Sequence, residues 1–173
     1  GADIGFTFVM WTVMMTGMML PSTMTMVMVF VTIQRKRAKQ GEWKATTALF
    51  VLGYLTAWTG FSVAATLTQW SLHAVALLSP MGVGTSSWLG ASLLIAAGMY
   101  QWTPLKFACL SKCRSPLGFF ITEWREGAHG ALLMGLRHGL FCTGCCWALM
   151  VLLFVGGVMN LLWVVVIAGF VLL

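Results

Sequence analysis

The sequence predicts an all-α protein, a polytopic bundle of transmembrane helices with about five spans in 173 residues. Hydrophobic residues make up 60% of the chain and charged residues only 8%, with a mean hydropathy of +0.91. Soluble domains contain about 25% charged residues. The apolar runs are long and continuous, whereas the strands of a membrane barrel show short alternating segments. A soluble globule is therefore excluded, and helices are favoured over a barrel.

The individual spans follow from the thickness of a bilayer. A hydrocarbon core about 30 Å thick requires roughly 20 apolar residues per helix. The predicted spans form one domain and lie near residues 5–34, 45–71, 86–107, 131–156 and 159–173. Pro and Gly residues at 80–84 predict the turn between the second and third spans, and Gly156 and Gly157 predict the last break. Because the final apolar run stops at Leu173, we expect the chain to be an excerpt of a longer protein.

The charged residues predict the orientation of these spans. Ten Lys and Arg residues stand against four Asp and Glu, giving a net charge of +6. Nine of the ten lie in or beside two segments, 35–44 and 108–127, which leaves Arg137 alone. The positive-inside rule places both loops on the cytoplasmic side of the membrane. The expected partners are the lipid bilayer and other membrane subunits, and no nucleic acid is expected because the charges are bunched between apolar runs.

The five cysteines form two groups that predict a metal site. Cys109 and Cys113 are spaced i, i+4, and the other three share one helix face with His138. Thiolate and imidazole ligands suit Cu(I), our expected cofactor, with Zn(II) as the alternative. The predicted ligands are Cys109, Cys113, His138, Cys142, Cys145 and Cys146. The competing interpretation is that small, weakly polar Cys residues simply pack well between helices.

The depth of Arg137 in the membrane decides whether the two cysteine groups can meet. A charge is most stable near the membrane interface, and this position would bring His138 and Cys142 level with Cys109 and Cys113. If the span instead begins near Gly127, His138 lies near mid-membrane and the two groups form separate sites. We expect the level arrangement.

The first predicted span is rich in Met. Met10, Met14 and Met18 lie on one arc of the helix, together with Met24 and Met28, while Met15, Met19 and Met26 lie on another. Thioethers are soft ligands for Cu(I), but Met is also a flexible filler of helix interfaces. The weaker predicted ligands are Met10, Met14, Met18 and Met134.

Four sequence blocks carry a family resemblance. They are MWTVMMTGMMLPS (10–22), GMYQWTPLKFACLSKCR (98–114), GLRHGLFCTGCCWALM (135–150) and GVMNLLW (157–163). Together they resemble a bacterial family of integral membrane proteins that has a domain of unknown function and is predicted to bind metal. The resemblance covers nearly the whole chain and implies a multi-span protein whose Cys and His residues, all present here, bind the metal.

Three classes of function remain open at this point. The favoured one is a copper-handling membrane protein, or an accessory subunit of a membrane metalloenzyme such as a copper-dependent monooxygenase. We expect it to handle metal rather than catalyse a reaction, because polar catalytic groups are few. The alternatives are a membrane thiol-disulfide redox protein, whose paired Cys would exchange disulfides with a quinone, and a metal transporter.

Overall fold

A computed structural model describes residues 3–37, 41–75, 87–157 and 160–172. Within these ranges the protein contains eight helices and no β-strand, which confirms the all-α prediction. The helices are α1 (Ile4–Arg37), α2 (Glu42–Ala74), α3 (Ser87–Tyr100), α4 (Pro104–Arg114), α5 (Pro116–Glu123), α6 (Gly127–Val151), α7 (Leu153–Gly156) and α8 (Leu161–Leu172).

Helices α1 and α2 form an antiparallel pair. Near one end, the Trp11 indole N–H donates to Gln69 Oε1 at 2.6 Å, and near the other the rings of Phe30 and Phe50 stack with centroids 4.7 Å apart. A 34-residue helix such as α1 is about 51 Å long, so it exceeds a bilayer core even when tilted. Pro21 lies inside α1 without ending the helix.

Helix α6 packs closely against α2 through small residues. A Cβ added to Gly53 would strike the backbone of Leu132, and one added to Gly135 would strike the Phe50 carbonyl. A Cβ on Gly139 would lie 2.6 Å from Ala57 Cβ. Small residues four positions apart allow two helix backbones to approach closely, which is a common means of packing in membranes. This contact fixes the position of α6, the helix that bears three of the cysteines.

The predicted segment 86–107 is two helices rather than one. Helix α3 ends at Tyr100, and α4 begins at Pro104 with Thr103 as its N-cap, whose hydroxyl accepts from the Lys106 N–H at 3.4 Å. Pro at the first helical position and Thr at the cap are both favoured at a helix start. The break lets α4 lie along α6 instead of continuing α3.

Within the described residues, three apolar helical segments are long enough to cross a membrane: Ile4–Arg37, Glu42–Ala74 and Gly127–Gly156. Two further apolar helices, Gly90–Tyr100 and Leu161–Val171, are shorter. The expected turn at 80–84 lies outside the described residues. The predicted break at Gly156 and Gly157 coincides with the end of α7, where Gly157 has a φ of 88°.

The two basic segments lie at the same end of the bundle. The Arg37 guanidinium at the end of α1 is 5.0 Å from the ring centre of Trp124, which follows α5. Arg35 lies 4.5 Å from the ring of Trp43, and Arg137 pairs with Glu123. This end of the molecule therefore combines the positive charges with aromatic side chains.

Candidate metal centre

Three cysteine sulfurs lie together between α4 and α6. The Sγ atoms of Cys113, Cys142 and Cys145 are all within 4.8 Å of one another, and those of Cys113 and Cys145 are 3.9 Å apart. We call this group the thiol triangle. All five cysteines of the chain are free thiols. Three sulfurs held about 2.3 Å from a central metal lie about 4 Å apart, so the triangle needs little adjustment to bind one ion.

Helix α6 supplies two corners of the triangle from successive turns. The Cys145 thiol donates to the Cys142 carbonyl at 3.1 Å, and the Cys146 thiol donates to the same carbonyl at 2.7 Å. Cys142, Cys145 and Cys146 are all buried. Cys146 Sγ lies 3.9 Å from Cys145 Sγ but does not belong to the triangle.

Helix α4 supplies the third corner. Cys113 is only half-buried, on a helix with no fully buried residue. Hydrogen bonds with Cys142 and Cys145, followed by burial, raise the pKa of the Cys113 thiol. Because the thiol holds its proton at neutral pH, binding of a metal by Cys113 releases a proton.

Cys109 lies one turn before Cys113 but outside the triangle. An added Cβ on Gly144 would be 2.9 Å from Cys109 Sγ, so this sulfur rests against the α6 backbone. Burial, followed by the neighbouring Cys145, raises the pKa of the Cys109 thiol. The two predicted cysteine groups therefore meet, but only one member of the first group reaches the three-sulfur cluster.

The start of helix α6 at Gly127 does not keep the two cysteine groups apart. The expectation that such a start places them in separate sites is wrong. They meet nevertheless, because α4 starts anew at Pro104 and lies along α6. Arg137, whose side chain is 41% exposed, is accommodated by Glu123 rather than by proximity to the helix end.

His138 is buried beside the triangle, not within it. Only 3% of the residue is exposed, and its ring stacks on Tyr54 and Phe50 and contacts the edge of Phe119. Its Nδ1 has no hydrogen-bond partner among the described residues. The Tyr54 hydroxyl, which donates to the Met19 carbonyl at 3.1 Å, lies 3.5 Å from Cys142 Sγ.

The Met residues divide between two clusters. Met15, Met18 and Met19 are buried in the apolar cluster that contains the α6 cysteines, and Met10 and Met14 pack against its edge. Met24 and Met28, on the same arc as Met10, Met14 and Met18, are exposed. Met134 belongs to a separate aromatic cluster, where its Sδ accepts from the Arg125 N–H at 3.3 Å.

A cavity of about 470 Å³ opens beside the triangle. The three triangle cysteines, Cys146 and His138 form one side, and helix α8 contributes Phe170 and Val171. The remaining polar lining consists of Ser22, Thr25, Lys106 and Arg114. The candidate metal-binding side chains are therefore accessible to a molecule larger than a single ion.

Comparison with known protein families gives one match. A model of the PpoB2 family, described as copper chaperones, matches residues 8–173. The chain belongs to this family. Searches against curated proteins and solved structures gave no significant match. The PpoB2 match spans both cysteine groups and the Met-rich first helix.

Three residues at the candidate metal centre are not recognisable as functional from the sequence. Tyr54, Lys106 and Arg114 line or contact the site, although none belongs to a recognisable ligand motif. The sequence gives one indication for Tyr54: a buried Tyr hydroxyl in an apolar helix usually has a hydrogen-bond partner, which predicts a polar contact at this position.

Proposed function

We propose that this protein is an integral membrane copper-handling protein that binds Cu(I) as cargo in the thiol triangle of Cys113, Cys142 and Cys145. The observation that supports this most directly is the convergence of three sulfurs from two helices. Membership of the copper chaperone family supports the choice of metal. Copper here is bound and passed on, not used as a resident catalyst.

The donor set favours Cu(I) over Zn(II). Soft thiolate ligands suit both metals, but a structural Zn(II) site almost always has four ligands in a tetrahedron. Three sulfurs form the triangle, whereas Cys146, Cys109 and His138 lie outside it. Three thiolates complete a trigonal Cu(I) site and leave Zn(II) one ligand short.

The outward surface supports insertion into a membrane. Large apolar side chains are exposed along the long helices, including Phe6, Val13, Met28, Leu52 and Leu67. A soluble monomer rarely exposes so extensive an apolar surface. We place the basic end of the bundle, and with it the loops 35–44 and 108–127, on the cytoplasmic side.

Delivery to a membrane metalloenzyme, such as a copper-dependent monooxygenase, completes the proposal. A copper chaperone requires a recipient, and the half-buried Cys113 at the edge of the site gives a recipient's ligand a point of attack. Partners within the membrane suit a chain whose exposed faces are apolar.

Metal analysis of the purified protein tests the proposal. We expect about one Cu(I) per chain, and we expect Cys142→Ser or Cys145→Ser to abolish binding because each removes a corner of the triangle. His73→Ala is the matched control, since His73 lies near the end of α2 and does not line the cavity. Copper retained by both Cys variants would contradict the proposal.

Thiol labelling distinguishes copper handling from thiol redox chemistry. If Cu(I) occupies the triangle, an anaerobic chelator should expose alkylatable thiols without any reductant. A redox protein would instead require reduction before labelling, and a quinone would drive disulfide formation. A quinone-dependent disulfide in the absence of bound metal would overturn the copper proposal in favour of the redox one.

A further inference from the structure

The cavity beside the thiol triangle has a chemistry of its own. Its volume of about 470 Å³ is far larger than a single ion and falls within the roughly 300–1,000 Å³ of small-molecule sites. It is lined by the metal-binding sulfurs on one side and by Lys106 and Arg114 on another. No acidic residue of the described chain lines it.

From this arrangement we infer that the cavity receives Cu(I) as an anionic complex with a small thiol that bears carboxylates. This inference rests on the proposed copper function and adds the form in which copper arrives. Cu(I) bound to two thiolates carries a net charge of −1 before any carboxylate of the carrier is counted. A cavity that is lined by the Lys106 ammonium, with no acidic residue of the described chain in its lining, raises the local concentration of such an anion.

Lys106 and Arg114 flank Cys113 on the same helix. Lys106, half-buried, hydrogen-bonds through its ammonium to the amide oxygen of Gln101, and this neutral partner does not offset its charge. Cys113, the half-buried corner of the triangle, follows two turns later. An anion drawn to Lys106 therefore arrives near the most accessible of the three sulfurs.

His138 supplies an independent sign of a ligand. The residue lines the cavity and is only 3% exposed, and its Nδ1 lacks a partner among the described residues. Buried polar atoms are nearly always hydrogen-bonded, to protein, water or ligand. The hydroxyls of Ser22 and Thr25, also in the lining, provide further hydrogen bonds for the polar body of a carrier.

The transfer itself is a ligand exchange at sulfur. A Cu–S bond to the carrier breaks as a Cu–S bond to Cys113 forms; Cys113 loses its thiol proton and the released carrier thiolate takes one up. Cys142 displaces the second carrier thiolate in the same way, and Cys145 then adds as a third ligand and releases its thiol proton to the solvent. Copper stays Cu(I) throughout, so no oxidant or reductant is required.

The test compares uptake of copper from two carriers, and the effects of substituting two lysines, in the full chain purified in detergent. Cu(I) is supplied as its complex with glutathione or with glutathione monoethyl ester, which has the same thiol and one carboxylate fewer. Transfer rates are followed by rapid separation and metal analysis. We expect Lys106→Gln to slow uptake from the glutathione complex by about tenfold and to affect the ester complex much less.

Lys112→Gln is the matched control, because Lys112 lies on the same helix, donates to the Thr122 hydroxyl and does not line the cavity. It should leave both rates unchanged, and Lys106→Arg, which keeps the charge, should restore the rate. Equal slowing with both carriers, or a loss of equilibrium Cu(I) affinity in Lys106→Gln, would overturn the inference, because the cation would then only offset the charge of the copper–thiolate centre. Failure of the wild-type protein to bind Cu(I) at all would instead refute the proposed function.

Discussion

Cys109 and Cys113 lie one turn apart on α4 but have different surroundings, so they form a matched pair for mutation. Cys113 Sγ lies 3.9 Å from Cys145 Sγ, whereas Cys109 Sγ rests against Gly144. We expect Cys113→Ser to lower Cu(I) affinity by more than the roughly 10–100-fold loss seen when a supporting partner of a ligand is removed. Cys109→Ser should lower it by no more than about tenfold. Competition with a chromophoric Cu(I) chelator measures both.

An equal loss of affinity in the two serine variants would place Cys109 among the ligands. In that case α4 would have to shift along α6 on binding, so that both of its sulfurs reach the metal.

Residue spacing alone predicted the grouping of these side chains but not their individual places. Cys142 and Cys145 were predictable because a helix turns 100° per residue and puts them on one face. The same rule could not say which Met arc faces the protein, since both arcs are equally regular. Met15 and Met19 point inward and Met28 outward because the tertiary contacts of α1 with α2 decide the orientation.

At the scale of helices, the close contact of α2 with α6 gives a test of packing. A Cβ on Gly135 would overlap the backbone of α2, so Gly135→Ala should force the helices apart and destabilise the protein by about 1–3 kcal/mol. Gly60→Ala on α2 is the control, because nothing lies within 4 Å of its added Cβ. That variant should be stabilised by roughly 0.5–1 kcal/mol. Unfolding titrations in mixed detergents measure the difference, and similar effects of the two substitutions would refute the close approach of α2 and α6.

Helix α4 gives a second test at this scale. It has no fully buried residue, and the residues that pack it against the core, Cys109, Leu110 and Cys113, are only half-buried. Copper bound by Cys113 on α4 and by Cys142 and Cys145 on α6 would join the two helices directly. We expect Cu(I) to slow amide hydrogen exchange in Pro104–Arg114 and to have little effect on exchange in α2, because local opening of α4 must then break a metal–sulfur bond. Unchanged exchange in α4 would indicate that Cys113 is not a ligand.

The start of α4 also shows what the sequence could have revealed about the helices. Thr103 and Pro104 form a cap followed by Pro at the first helical position, a recognisable helix start. The length of the apolar run predicts one continuous span over 86–107, although this helix start lies within it. The long helices α1, α2 and α6 were predictable from length, whereas the path of α4 depends on contacts with α6 that no local pattern encodes.

For the whole molecule, the thiol triangle, the cavity and the basic residues are parts of one arrangement. Arg37 and Trp124 tie the first basic segment to the second, and the second is continuous with α4, which bears Lys106 and Cys113. The proposed copper site therefore includes a helix that is continuous with the end of the bundle where positive charge is concentrated. If that end is cytoplasmic, copper enters the protein from the cytoplasm.

The orientation of the bundle is the prediction on which this direction of entry depends. Nine of the ten Lys and Arg residues lie in or beside the segments 35–44 and 108–127, and basic loops are retained on the cytoplasmic side of a membrane. A reporter fused after Gln40 should therefore be active in the cytoplasm, and one fused near Gly82, in the basic-free connection between α2 and α3, should be active outside. Paired alkaline phosphatase and fluorescent-protein fusions at each position provide matched controls for expression. The reverse pattern would place the copper site on the outer side and would require copper to enter from there.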